Sequence, residues 1–146
     1  DIVLMGTWNC TSTIGREMIT WKFRIENARD VAWASSSAFI VDAARINLPS
    51  GGKSMAISAY PIESYGGNAW ERSTEYTKAS VEHYSERWFE YPYPTAINIA
   101  SSVAGIEYPA ISFSIVLSNG CDNLTFILST SKIISNTFVY PCFGMT

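Results

Sequence analysis

The sequence predicts an α+β fold, with a β-rich N-terminal part over residues 1–65 followed by an α+β part over residues 66–146. Three observations lead there. Residues 18–26 alternate between two faces, the period of a half-buried strand. Trp70, Thr74, Thr77, Val81, Tyr84 and Trp88 recur at intervals of four and three, the period of an amphipathic helix. Between them stands Gly66-Gly67-Asn68, where one texture gives way to the other.

The elements follow in order. Residues 2–8 form a short apolar run. In residues 18–26 Ile19, Trp21, Phe23 and Ile25 share one face and Met18, Thr20, Lys22 and Arg24 the other, so the first four are expected inside. A polar turn at residues 27–30 precedes two short strands, 31–34 and 39–42, and Trp21, Phe23, Trp33 and Phe39 are expected to share a core. Pro49-Ser50-Gly51-Gly52 is the strongest turn signal in the chain and introduces a strand over 54–60. Asn68 with Glu71 three residues on has capping-box spacing, which starts a helix of about five turns. Trp70, Val81, Tyr84 and Trp88 are expected to form its core face. Pro92 and Pro94 stop it, and strands follow over 96–103 and 111–117.

Composition limits the functions. The chain has 146 residues, enough for about one domain with a core covering well over half its unfolded surface. It is 47% apolar, 14% aromatic and only 16% charged, which argues against disorder and suits a piece of a larger protein whose neighbour-facing surfaces need no charge. A net charge of −3, with no run of Lys or Arg, makes nucleic acid a poor partner. No apolar stretch reaches the ~18 residues needed to span a bilayer. Residue 1 is Asp without a basic and apolar leader, so any signal peptide is expected to be removed or to lie outside this sequence. The compartment stays open, a periplasmic or extracellular one being preferred to a cytoplasmic one. Cys10, Cys121 and Cys142 are too far apart to encode a zinc knuckle or redox pair.

Three motifs carry a resemblance. Arg29-Asp30-Val31-Ala32-Trp33-Ala34-Ser35-Ser36 resembles the strand closing the β-saddle domain of gluzincin zinc aminopeptidases, the family of alanyl aminopeptidase and leukotriene hydrolase. Ser85-Glu86-Arg87-Trp88-Phe89-Glu90-Tyr91-Pro92-Tyr93-Pro94 is similar to a helix end and the stretch after it in that family's catalytic domain. Ala104-Gly105-Ile106-Glu107-Tyr108-Pro109 resembles its G-x-M-E-N/Y exopeptidase motif. Order and spacing agree over about residues 17–117, and the likeness stops abruptly beyond Phe113. The resemblance implies the end of a β-saddle domain followed by the start of a thermolysin-like catalytic domain. It also implies a peptide substrate, or the remainder of a larger peptidase chain, as the partner.

In that family Glu107 would anchor the α-amine of a peptide, while Ala104, Gly105, Ile106 and Tyr108 would form the strand beside it. The family's cofactor is zinc, held by a helix bearing H-E-x-x-H. Lys132 and Asn136 stand at the two ligand positions, Ile133 at the position of the catalytic base and Gly144 at the family glycine. An ammonium and an amide do not serve as zinc ligands, and an aliphatic side chain accepts no proton. The third ligand would fall beyond Thr146. The chain by itself is therefore expected to hold no zinc and to be inactive, the alternative function being a non-catalytic peptide-binding or assembly module. His83, the single histidine, lies off the helix's apolar stripe and reads as a solvated side chain. No G-x-S-x-G is present to suggest serine chemistry.

Overall fold

Residues 48–52 reverse the chain with Gly51 at φ 84°, a left-handed conformation that costs a glycine little. Leu48 N–H donates to the Gly52 carbonyl at 3.0 Å, and Gly51 N–H to the Leu48 carbonyl at 2.9 Å. The Glu90 carboxylate reaches across and accepts from the Ser50 hydroxyl at 2.6 Å and the Ser50 N–H at 2.7 Å. These donors hold the Glu90 carboxyl below its ordinary range. The turn sets the register Asn47↔Lys53 and so zips two nine-residue strands, β5 (Phe39–Asn47) and β6 (Lys53–Pro61). The first is twice the length that its apolar run alone suggests.

The computed structural model describes residues 3–6, 10–14, 19–26, 28–62, 69–102 and 106–114. The remaining described elements are β1 (Val3–Gly6), β2 (Cys10–Ile14), β3 (Ile19–Phe23), β4 (Trp33–Ser36), α1 (Ser73–Arg87), β7 (Thr95–Ala100), β8 (Ile106–Tyr108) and β9 (Ile111–Ser114). The fold is α+β, mostly strands with one α-helix among the described residues. One five-stranded sheet has the order β5-β6-β7-β9-β8, and β1-β4 and β2-β3 form two-stranded sheets. Within the large sheet β6, β7 and β9 run parallel, while β5 and β8 are antiparallel to their neighbours at the two edges.

A parallel neighbour requires a crossover, and α1 supplies it between β6 and β7, packing over β5, β6 and β7. The texture change at residue 66, read from the sequence as the border between two parts, therefore lies inside a β6–α1–β7 crossover, and one sheet takes strands from both sides of it. Under α1, Val81 packs with Ile46, Ala56, Tyr91 and Ala96, where two alanines let the helix approach closely. Tyr91 is buried, its hydroxyl donates to the Thr95 carbonyl at 2.9 Å, and burial pushes the phenol well above its ordinary value. Trp70 stacks on Tyr60 at the helix's N-terminal end, with centroids 5.8 Å apart. The opposite face buries Ala59, Ile97, Ile99 and Ile111 against Ala32, with Met5, Ala34 and Phe39 at the margin.

Several expectations are corrected. The α-helix begins at Ser73 after a 3-10 turn, Ala69–Arg72, and its N-cap residue Arg72 makes no side-chain cap bond. Asn68 lies outside the described residues, and Glu71 falls within the 3-10 turn. Thr74, Thr77 and Val81 face the sheet and Tyr84 is half-buried, but Trp88 is 64% exposed. Trp88 is the first residue past the helix, so nothing holds it on the stripe. Trp33 is 63% exposed because Ala32 and Ala34 turn toward the large sheet and strand parity sends Trp33 the other way. Trp21 is 42% exposed on the two-stranded β2–β3 sheet, and Phe23 is only half-buried. The Phe23 ring lies against Gly6, where an added Cβ would come within 2.6 Å of it. No helix among the described residues is long and apolar enough to cross a membrane.

These burials set a testable contrast. Ile97→Ala should cost about 2–5 kcal/mol of stability by opening a cavity under β7, while Trp88→Ala should change it by less than about 1 kcal/mol. Urea titration of both variants checks it, and equal losses would mean that Trp88 is covered.

Candidate functional site

The hairpin β8–β9 carries the candidate residues. Pro109 and Ala110 connect its strands, pairing Tyr108 with Ile111, Glu107 with Ser112 and Ile106 with Phe113. Proline at the first turn position and a positive φ at the second is the order of a type II turn, a place that favours glycine. Ala110 occupies it at φ 64° and is fully buried. Its carbonyl accepts the Ile97 N–H at 2.9 Å, which ties the turn to β7.

Strand parity divides the site. Ile106 and Tyr108 share the face of Phe113, and the Tyr108 and Phe113 rings meet edge to face with centroids 6.3 Å apart. They line a groove of about 380 Å³ with Val31, Ala32, Trp33 and Ser101. Val31 is 57% and Ile106 37% exposed, so the groove presents apolar side chains to the outside. Glu107 projects to the other face, the one that carries α1 further along the sheet, and is half-buried. On that face the pairings place Ser58, Asn98, Ser112 and Glu107 in one row across β6, β7, β9 and β8. Asn98 Oδ1 accepts from Ser112 Oγ at 3.3 Å and Ser114 Oγ at 3.0 Å.

The structure thus brings Ile106, Glu107 and Tyr108 together on an edge strand whose far side carries no strand among the described residues. Ala104 and Gly105, expected to continue that edge, lie outside the described residues, as do Lys132, Ile133 and Asn136. Among the described residues no group of three or more His, Cys, Asp or Glu could hold a metal ion. His83 is exposed on α1, edge-on to Tyr84 at 5.6 Å. Sequence reasoning missed Asn98, Ser112 and Ser114. Their one signal is a polar residue at alternate positions of otherwise apolar strands, which is also how a solvent-facing strand side reads. It also placed Trp33 in a core, whereas Trp33 lines the groove.

No protein-family model matches the chain, and a search of curated proteins finds no match.

The turn beneath Glu107 is open to direct test. Ala110→Gly removes a left-handed penalty of about 1–2 kcal/mol and adds a glycine entropy cost of about 0.5–1 kcal/mol, so stability should rise by up to about 1.5 kcal/mol. Ala110→Val, β-branched at positive φ, should lower it by more than about 1 kcal/mol. Urea midpoints measure both, and a Gly variant less stable than the parent would show that the buried methyl outweighs the backbone.

Proposed function

We propose that this chain is a segment or degenerate relative of a zinc metallo-aminopeptidase, one that keeps the strand on which the N-terminus of a peptide is held and lacks the groups that would cut it. The observation that carries the reading is the position of Glu107 in an antiparallel edge strand of an otherwise largely parallel sheet. An extended peptide laid along β8 can add main-chain hydrogen bonds as one more strand. A carboxylate within that edge supplies one anion for the α-ammonium, so it marks where the peptide must begin. A peptide blocked at its N-terminus has no charge to offer.

Zinc does not fit the residues that the resemblance would assign to it. Lys132 and Asn136 are not zinc donors at neutral pH, and Ile133 cannot take a proton from water. The chain's own part is therefore binding and orienting, and hydrolysis is not assigned to it.

A second reading, a non-catalytic peptide-binding or assembly module, is favoured by the groove beside β8. Apolar side chains such as Val31, Trp33 and Ile106, all more than a third exposed, suit a contact surface. Both readings use the same edge, and they part over whether the charge of the amine is read.

Glu107→Gln should weaken binding of trialanine about tenfold or more while leaving N-acetyl-trialanine unaffected, since a partly desolvated charge pair is lost only in the first. Calorimetric titration decides it, and equal affinity of the parent chain for the two peptides would leave only the module reading standing. The chain should also retain no stoichiometric zinc through dialysis and should not hydrolyse an aminoacyl anilide. Turnover abolished by a chelator would overturn the inactive assignment.

A further inference from the structure

We infer that Asn98 is a positioning residue for Glu107, fixing the register of β9 and, through it, of β8. The inference rests on the reading of Glu107 as the amine-binding group. Asn98 is fully buried in β7, between Ile97 at 2% and Ile99 at 1% exposure, and of its amide atoms only Oδ1 has a hydrogen-bond partner among the described residues. Its Oδ1 receives the hydroxyls of both Ser112 and Ser114, the two polar residues of β9. Ser112 Oγ also lies 3.4 Å from the Ile97 carbonyl.

The arrangement answers a defect in the β9 sequence. Ile111-Ser112-Phe113-Ser114 repeats every two residues, so a slip of two keeps apolar side chains on one face and serines on the other. Apolar patterning discriminates weakly between such registers. A polar anchor that takes two serines at once does discriminate, because a slip of two carries one of them out of reach. Buried asparagines set register in coiled coils on the same principle. Since Glu107 pairs directly with Ser112, a slipped β9 would displace the carboxylate by about 6–7 Å along the edge.

Two variants of the 146-residue chain test this. Asn98→Leu is close to isosteric and removes both hydrogen bonds, and Ser114→Ala deletes a single oxygen, keeping the test available should the first variant fail to fold. Trialanine and N-acetyl-trialanine are titrated against each, and backbone amide exchange is followed in β8 and β9. Free-amine affinity should fall about threefold to tenfold in each variant with the acetylated peptide unchanged, and the β8 and β9 amides should exchange faster. An unchanged preference for the free amine would overturn the inference, as would an equal loss for both peptides. If the parent chain prefers trialanine and the variants do too, Asn98 alone is misassigned. If the parent chain itself shows no preference, the reading of Glu107 fails and this inference with it.

Discussion

The architecture depends on β7 being paired on both sides and buried on both faces. Ala96, Ile97, Asn98 and Ile99 are each at most 2% exposed, with β6 hydrogen-bonded along one edge and β9 along the other. A strand in that position cannot tolerate an uncovered face. The parallel β6–β7 pairing brings α1 across one side, and the N-terminal segment around Ala32 lies over the other. The alanines on the helix face are as necessary as the isoleucines behind them, because a larger residue at position 56 or 96 would hold the helix off the sheet.

The same strand links the core to the candidate site. Alternation on β7 sends Ile97 and Ile99 to the apolar side and Asn98 to the α1 side, where it stands in the row that ends at Glu107. The edge is thus built outward from the most constrained strand, through two serines and a two-residue turn. The buried polar contacts of Asn98 with Ser112 and Ser114 lie in the same sheet, between β7 and the strand that pairs with Glu107. The groove on the other face needs no such support, since it is formed by whole side chains meeting across β8, β9 and the approach to β4.

The charged contacts elsewhere have a different character. Arg72 bonds Glu75, and Lys78 bonds Glu82, on the surface of α1, and Glu82 also accepts the Asn47 N–H at 2.9 Å. Glu82, with Glu90 at the Ser50 turn, ties the β5–β6 hairpin to the crossover helix and its exit. They hold a loop and a helix end in place, and solvent screens most of their Coulombic worth.

For the helix and the longer strands, element type and approximate position were legible in the sequence because they follow from period. The 49–52 turn, the helix and the strands β7 and β9 lie close to where the spacing puts them, whereas β2 and β8 are not read from it. Pairing and facing were decided only by the tertiary structure. A two-residue period says that a strand has two faces but not which neighbour covers either one, so Trp21 and Trp33 read as core and stand 42% and 63% exposed, while Ser58, Asn98 and Ser112 read as polar and are fully buried. The sheet order brings residues 53–61 beside 95–100, some forty positions on, and contacts at that separation leave no local trace in the chain. The sequence by itself therefore determined the helix and the longer strands that carry a clear period, and only the tertiary structure decided the short strands β2 and β8 and which side chains are inside, because pairing and burial depend on partners that lie far away along the chain.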